Sequence, residues 1–322
     1  MRRFAAVLAG LVTLSITAGA FGQEYPARTV RIVIPYGAGG PTDIVGRVLA
    51  QKMSDSMGQP VIVENRIGAG GIVGTEYVAR SAADGYTLMF SASGALVAVP
   101  HYNSKLPYDT FRDFAPIALG ATAPVILTVG PNSSARSVQD LIAQAKAQPG
   151  KLNYASAGIG TMPHLGTELL KRATGIDVVH VPYKGGPQAD LAVMSGEVTF
   201  GLAQPSVVTA ARAGKVRMLG ISSPKRSALA PEVPTIAESG IPGFEITAWY
   251  GMFAPAKTPD AVLARLNGEV QKALAQKDVI ERLQSLGFEP PAPQTTADFL
   301  AFLRRESGKW KEAVKDAGIK GE

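Results

Sequence analysis

Cysteine is missing from all 322 residues. Its absence removes disulfides, thiolate metal sites and a cysteine nucleophile in one step. Histidine is scarce, with three copies, too few for a histidine-built zinc cage. Charge is thin as well. Asp, Glu, Lys and Arg make up 18% of the chain, and the net charge of +6 is scattered along it. Such a distribution offers no basic block for nucleic acid. No apolar run beyond the N-terminal segment is long enough to span a bilayer. The sequence has no G-x-S-x-G elbow, Walker A loop, H-E-x-x-H pair or EF-hand loop, and no motif pairs two carboxylates for acid–base work.

What is plentiful is hydrophobic residues, at 46%, with 35 Gly and 23 Pro. A chain this hydrophobic builds sizeable cores and is not disordered. At about 100–200 residues per domain, its length suggests two domains. The N-terminus has the layout of a secretory leader: Arg2 and Arg3, an apolar stretch from Phe4 to Ile16, then Ala18-Gly19-Ala20 or Ala20-Phe21-Gly22 as a cleavage site. The apolar stretch is short for a membrane anchor and no charged stop-transfer cluster follows it. Residues 1–22 are therefore read as a signal peptide and the product as periplasmic.

Strand and helix patterns alternate through the rest. Thr29–Pro35 is β-branched and apolar, as a buried parallel strand should be, and Pro41 opens a helix reaching about Met57. Val61–Glu64, Tyr86–Ser91, Leu152–Ala155, Val178–Val181, Val198–Leu202 and Val216–Ser222 read as further strands. Helices are expected over Ile72–Ser81, Ser137–Ala147, Thr161–Thr174, after Pro187, near Ser206–Ala213, and in three tail segments from Pro259 to Ala317. Repeated β-loop-α units predict an α/β fold with mostly parallel sheets. Extended runs near Ala121–Thr128 and Glu245–Ala254 are read as two segments crossing between domains. One domain is then discontinuous, 24–121 and 249–322, and the other is 122–248, with a ligand cleft between them.

Three loops share one design of strand, Gly-rich turn and helix start: Gly37–Thr42, Gly68–Gly74 and Ala157–Thr161. Helix starts leave backbone N–H groups unpaired and carry about half a positive charge. Several facing one cleft form an anion site without Arg or Lys. A dinucleotide fingerprint is not met, because Val73 stands at the third glycine position after Gly68 and Gly70, and Thr42 at that after Gly37 and Gly39. Each side chain has two readings. Thr42 and Thr161 either cap their helices or offer a hydroxyl to a ligand. Asp43 either complements its helix dipole or meets a ligand ammonium group. His164, one turn from Thr161, either packs or shares the site face. His180 reads as packing, and Trp249 and Tyr250 wall a cleft or fill a hinge core.

The ordered set of landmarks resembles the Bug family of extracytoplasmic solute receptors, the binding component of tripartite tricarboxylate transporters. It runs through Tyr25-Pro26, Pro35-Tyr36-Gly37-Ala38-Gly39-Gly40-Pro41-Thr42-Asp43, Asn65-Arg66, Gly68-Ala69-Gly70-Gly71 and Leu106-Pro107-Tyr108-Asp109. It continues with Gly158-x-Gly160-Thr161-x-x-His164-Leu165, Val181-Pro182-Tyr183-Lys184-Gly185, Pro231-x-Val233-Pro234-Thr235, Glu238-x-Gly240, Trp249-Tyr250-Gly251 and Ala254-Pro255. The resemblance implies a periplasmic-binding-protein-like fold: two α/β domains closing on a small carboxylate or related metabolite. It implies no cofactor and no enzymatic activity, a monomer, and membrane transporter subunits or a sensor protein as partners. Carried over, the site comprises Tyr36, Ala38, Gly39, Gly70, Ser91, Ser93, Ser156, Gly160, Thr161 and His164, to which Thr42, Asp43 and Gln204 are added from the loops and strand ends. Two positions depart from the family pattern. An expected Asp falls on Ala192, with Asp190 displaced by two, and Gln204 stands where Asp is common. A neutral amide in place of a carboxylate weakens the case for an amino-acid ligand.

Overall fold

The computed structural model describes residues 25–227 and 229–317; the leader expected over 1–22 lies outside them. The first βαβ units are β1 (Val30–Ile34), α1 (Pro41–Met57), β2 (Val61–Asn65), α2 (Ile72–Ala79) and β3 (Thr87–Ala92). A short α3 (Thr110–Asp113) and the long β4 (Phe114–Pro124) follow. Next come β5 (Ile126–Val129), α4 (Val138–Ala147), β6 (Asn153–Ser156), α5 (Met162–Thr174), β7 (Val179–Pro182), α6 (Gly186–Ser195), β8 (Phe200–Ala203), α7 (Val207–Arg212) and β9 (Arg217–Ile221). The chain returns through β10 (Thr247–Pro255) to α8 (Asp260–Leu274), α9 (Lys277–Ser285) and α10 (Thr296–Ala317).

These strands form two five-stranded sheets built to one plan, β2-β1-β3-β10-β4 and β7-β6-β8-β5-β9. β1 is buried at every residue except Arg31, as its apolar run requires when helices cover both faces. Four strands of each sheet run the same way, and the fifth is reversed: β10 is antiparallel to β3 and β4, and β5 to β8 and β9. The sheets are therefore mostly parallel, as expected, and mixed by one reversed strand in each. The cause is the crossing of the chain. β3 ends at the gap between the sheets, and β10 enters from that gap, so it must run the other way. β5 does the same in the second sheet, only Val125 separating it from β4.

The two crossings are tied by one side chain. Ser222, fully buried, accepts from Val125 N at 2.9 Å and donates to the Ile246 carbonyl at 2.5 Å. Its own backbone N–H and C=O bond Val125 O and Ile246 N. Period-two alternation then sorts the residues of β10. Trp249 packs in the core against Phe299 and Phe302 of α10, while Tyr250 turns toward the second sheet and donates to Gln204 Oε1 at 2.7 Å.

Ser222→Ala leaves a buried N–H and a buried carbonyl short of a partner. An unsatisfied buried group costs about 1–3 kcal/mol, and a loss of this order is expected in the denaturation midpoint at unchanged m-value. A change below a few tenths of a kcal/mol contradicts the pinning role.

Candidate ligand cleft

Three helices start at the same cavity. α1 begins after the Tyr36–Gly40 turn with Gly40 as N-cap and Pro41 as its first residue. α5 has Thr161 as N-cap and Pro163 in its first turn; α6 has Gly185 and Pro187. None of the three is capped by a side-chain hydrogen bond. Away from the cavity, α4 is capped by Ser137, which accepts from Asp140 N. The first ladder bonds run from Ile44, Leu165 and Ala189 to the cap carbonyls of Gly40, Thr161 and Gly185. The N–H groups before them have no place in the helix ladder, and the macrodipole adds partial positive charge there. The cavity is lined from one sheet by Tyr36, Gly39, Gly40, Pro41, Thr42, Ala92 and Tyr250. From the other come Thr161, Met162, Pro163, Gly185, Gly186, Pro187, Asp190 and Gln204. No Lys, Arg or His lines it.

Several predicted residues hold the loops instead of facing the cavity. Asp43 is one. Its Oδ2 accepts from Gly39 N and Arg47 Nε, each at 2.9 Å, and its Oδ1 accepts from Asn65 Nδ2 at 2.9 Å. Asn65 Nδ2 also donates to the Tyr36 carbonyl at 3.0 Å. Burial opposes ionisation of Asp43, but these donors outweigh it and hold the carboxyl below its ordinary range. The ligand-ammonium reading of Asp43 is corrected: both its oxygens are committed to the protein. Gly39 lines the cavity while its N–H is held by Asp43, and Ala38 is exposed outside it.

The second sheet has a matching support. Ser156 Oγ accepts from Gly158 N at 3.1 Å and lies 2.6 Å from His180 Nε2. Gly160 N donates to His164 Nδ1 at 3.2 Å, and Thr161 Oγ1 donates to the Gly158 carbonyl at 2.6 Å. The rings of Tyr154, His180 and His164 stack in series, with centroids 4.8 and 4.5 Å apart. Ser156, Gly160 and His164 thus shape the loop, and only Thr161 of this group lines the cavity. Burial, then the neighbouring His164, pushes His180 down to about 4.

Ser93 Oγ accepts from Trp249 N at 3.5 Å and is fully buried. Ser91 Oγ and Tyr36 OH are buried without a protein partner. Gln204 has its Oε1 taken by Tyr250 OH, so its amide NH₂ is the group left to donate. Sequence reasoning did not assign Gly185, Gly186, Pro187 or Asp190 to the site, and it left Tyr250 between a cleft wall and a hinge core; Tyr250 lines the cavity. The Lys184–Pro187 turn carries the same strand-glycine-helix signal as the other loops. Asp190 lies one helical turn beyond Gly186, so the same signal pointed to its face. It has no hydrogen-bond or ion-pair partner among the described residues, and burial pushes it up to about 7.

The second glycine loop does a different job. A Cβ on Gly70 would sit 2.0 Å from the Ile159 carbonyl oxygen, and one on Gly94 would sit 2.1 Å from that of Gly160. Loops of the two sheets therefore meet backbone to backbone, which only glycine allows. Gly70 is corrected from cavity residue to closing contact; it borders a neighbouring groove with Ile67, Gly158 and Ile159.

The profile of the tripartite tricarboxylate transporter family receptor matches residues 45–319. Protein BugT of Bordetella pertussis is 38% identical over 325 residues, covering 99% of each chain. R. palustris Rpa4515, solved with adipate, superposes at a TM-score of 0.89 with 32% identity, over 92% of this chain and 99% of that one. MatC (Rpa3494) from Rhodopseudomonas palustris, solved with bound malate, gives 0.87 with 35% identity, over 90% and 100%.

Two outcomes follow from the geometry. In Gly94→Ala the new methyl collides with the Gly160 carbonyl across the contact between the two halves. Overpacking of about 1–3 kcal/mol should weaken ligand binding about 10–100-fold at unchanged helix content; unchanged affinity contradicts the importance of this contact. The unfolded chain protonates His180 near its ordinary ~6.5, the folded chain only near 4. His180 therefore contributes stability that is lost as pH falls from about 6.5 to about 4, while Asp190, raised to about 7 by burial, acts in the opposite sense over the same window. His180→Gln should remove the first contribution from the pH dependence of denaturant midpoints, leaving those of Asp190 and of His101, which burial also lowers. An unchanged slope contradicts the assignment.

Proposed function

The chain belongs to the tripartite tricarboxylate transporter family of receptors, and on that premise we propose that it is an exported, non-catalytic receptor for a small carboxylate. The observation that carries this reading is the convergence of three uncapped helix starts, from both sheets, on one cavity. A carboxylate there receives charge-assisted hydrogen bonds from fixed N–H groups. With no cationic side chain on the wall, the dipoles alone supply the counter-charge. Malate in MatC and adipate in Rpa4515 are ligands of the same chemical kind.

In this reading the site comprises Thr42, Thr161, Gly186 and Gln204 as direct contacts. Tyr36 lines the cavity with its ring, while its buried hydroxyl lies beside Ser91 and the Ala95 backbone, and Ser91 stands behind the wall. The division into 24–121 with 249–322, and 122–248, makes the pieces that close, bending where Ser222 ties Val125 to Ile246. Closure shifts a pre-existing population, because the ligand touches both halves only in the shut form. Membrane subunits of a transporter then read the shut form. The leader read in the sequence over 1–22 supports a periplasmic location.

The test is thermal unfolding of refolded, ligand-stripped protein against a panel of carboxylates, matched amides and sugars. A ligand at about 100 times its Kd stabilises by roughly 2.7 kcal/mol, or about 5–10 °C for domains of this size. Shifts confined to carboxylates are expected. Shifts with neutral compounds alone, or with none of the panel, contradict the reading.

A further inference from the structure

The cleft holds one carboxylate that the loops do not use. Asp190 lies on the face of α6 that also presents Gly186, Ala189 and Val193 to the cavity. α6 packs on β5, β6 and β8, whose only titratable side chain is Tyr154, bonded to Glu168. Across the cavity stand Thr42 of α1 and Tyr250 of β10, and beside Asp190 on its own half stand Thr161 of the α5 start and Gln204. The titratable groups among the lining residues are Asp190, Tyr36 and Tyr250, and none is a cation. Asp43, near the α1 start, is committed to Arg47, Asn65 and Gly39.

The donor N–H groups and the one anionic acceptor are thus set apart, the Thr and Tyr hydroxyls being neutral. The helix starts and the Gln204 amide can only donate to a ligand, since Tyr250 occupies Gln204 Oε1. Asp190, when ionised, can only accept. It sits about 6 Å along α6 from Gly186, four residues at 1.5 Å each. A carboxylate buried without a cation is costly, and a ligand bringing only further negative charge raises that cost. A ligand carrying an ammonium group beside its carboxylate satisfies both ends.

We infer that Asp190 is the specificity residue of the cleft and selects amino-acid-class zwitterions, its carboxylate receiving the ligand ammonium group while the helix starts hold the ligand carboxylate. This rests on the carboxylate reading above and reverses the weight that the neutral Gln204 carried in the sequence. The acceptor is supplied from α6 instead of from the end of β8.

The test is calorimetric titration of stripped wild-type protein and Asp190→Asn with pairs that differ by one α-ammonium group: succinate and aspartate, glutarate and glutamate, 3-methylbutanoate and valine. At pH 8 the ammonium member of at least one pair should bind wild type at least tenfold tighter than its partner. Asp190→Asn should erase that preference while the plain carboxylate still binds. In wild type the preference should grow as pH rises from 6 to 8, a readout that needs no variant to fold. Plain carboxylates binding as tightly as their partners, or a preference that survives in Asp190→Asn at an unchanged pH profile, overturns the role of Asp190 alone. Binding by no member of any pair overturns the carboxylate reading and this inference with it.

Discussion

A helix cannot satisfy its own first N–H groups, and this constraint organises the molecule. Elsewhere in the chain a side chain can close such an end, as Ser137 does for α4. At the cleft, α1, α5 and α6 leave theirs without side-chain caps. Three such ends in one place repel any arrangement that buries them without an anion. The price is met by fixing the loops from behind. Asp43 gathers Gly39, Arg47 and Asn65 behind the first loop. Ser156, His180 and His164 do so behind the second. Neither cluster needs to touch a ligand to determine where the N–H groups point.

The same loops also meet across the two halves. Close approach of backbone to backbone explains the glycines that the anion site itself does not require. Gly70 meets the Ile159 carbonyl, and Gly94 the Gly160 carbonyl, at distances that leave no room for a side chain. Away from these loops the chain passes between sheets at Val125 and just before Thr247, and Ser222 binds both passages together. The antiparallel entries of β5 and β10 follow from the same connectivity.

Much of this was legible in the sequence. Strand-glycine-helix units, the β-branched run of β1 and the crossing segments gave an α/β chain with a cleft, and Tyr36, Gly39, Thr42, Thr161 and Gln204 were placed where the cavity lies. What stayed hidden depends on distance across the fold. Nothing local tells that Asp43 is consumed by Asn65, twenty-two residues away, or that His180 stacks on His164. Gly70 carries the same local signature as Gly40, and only the opposing Ile159 carbonyl distinguishes a closing contact from a lining residue. Asp190 was measured against a family register and found displaced; its helix face, set by Gly186 four residues earlier, decides its position instead.

The central claim is that backbone N–H groups from both sheets bind one ligand carboxylate together. It is tested most directly by amide ¹H–¹⁵N spectra of the labelled, stripped protein during titration with a carboxylate that binds. The account predicts that the amides of Thr42, Met162 and Gly186, drawn from three helix starts on two sheets, shift in step and yield a single Kd. Shifts confined to one sheet, or absent from these three amides while ligand binds elsewhere, would contradict it.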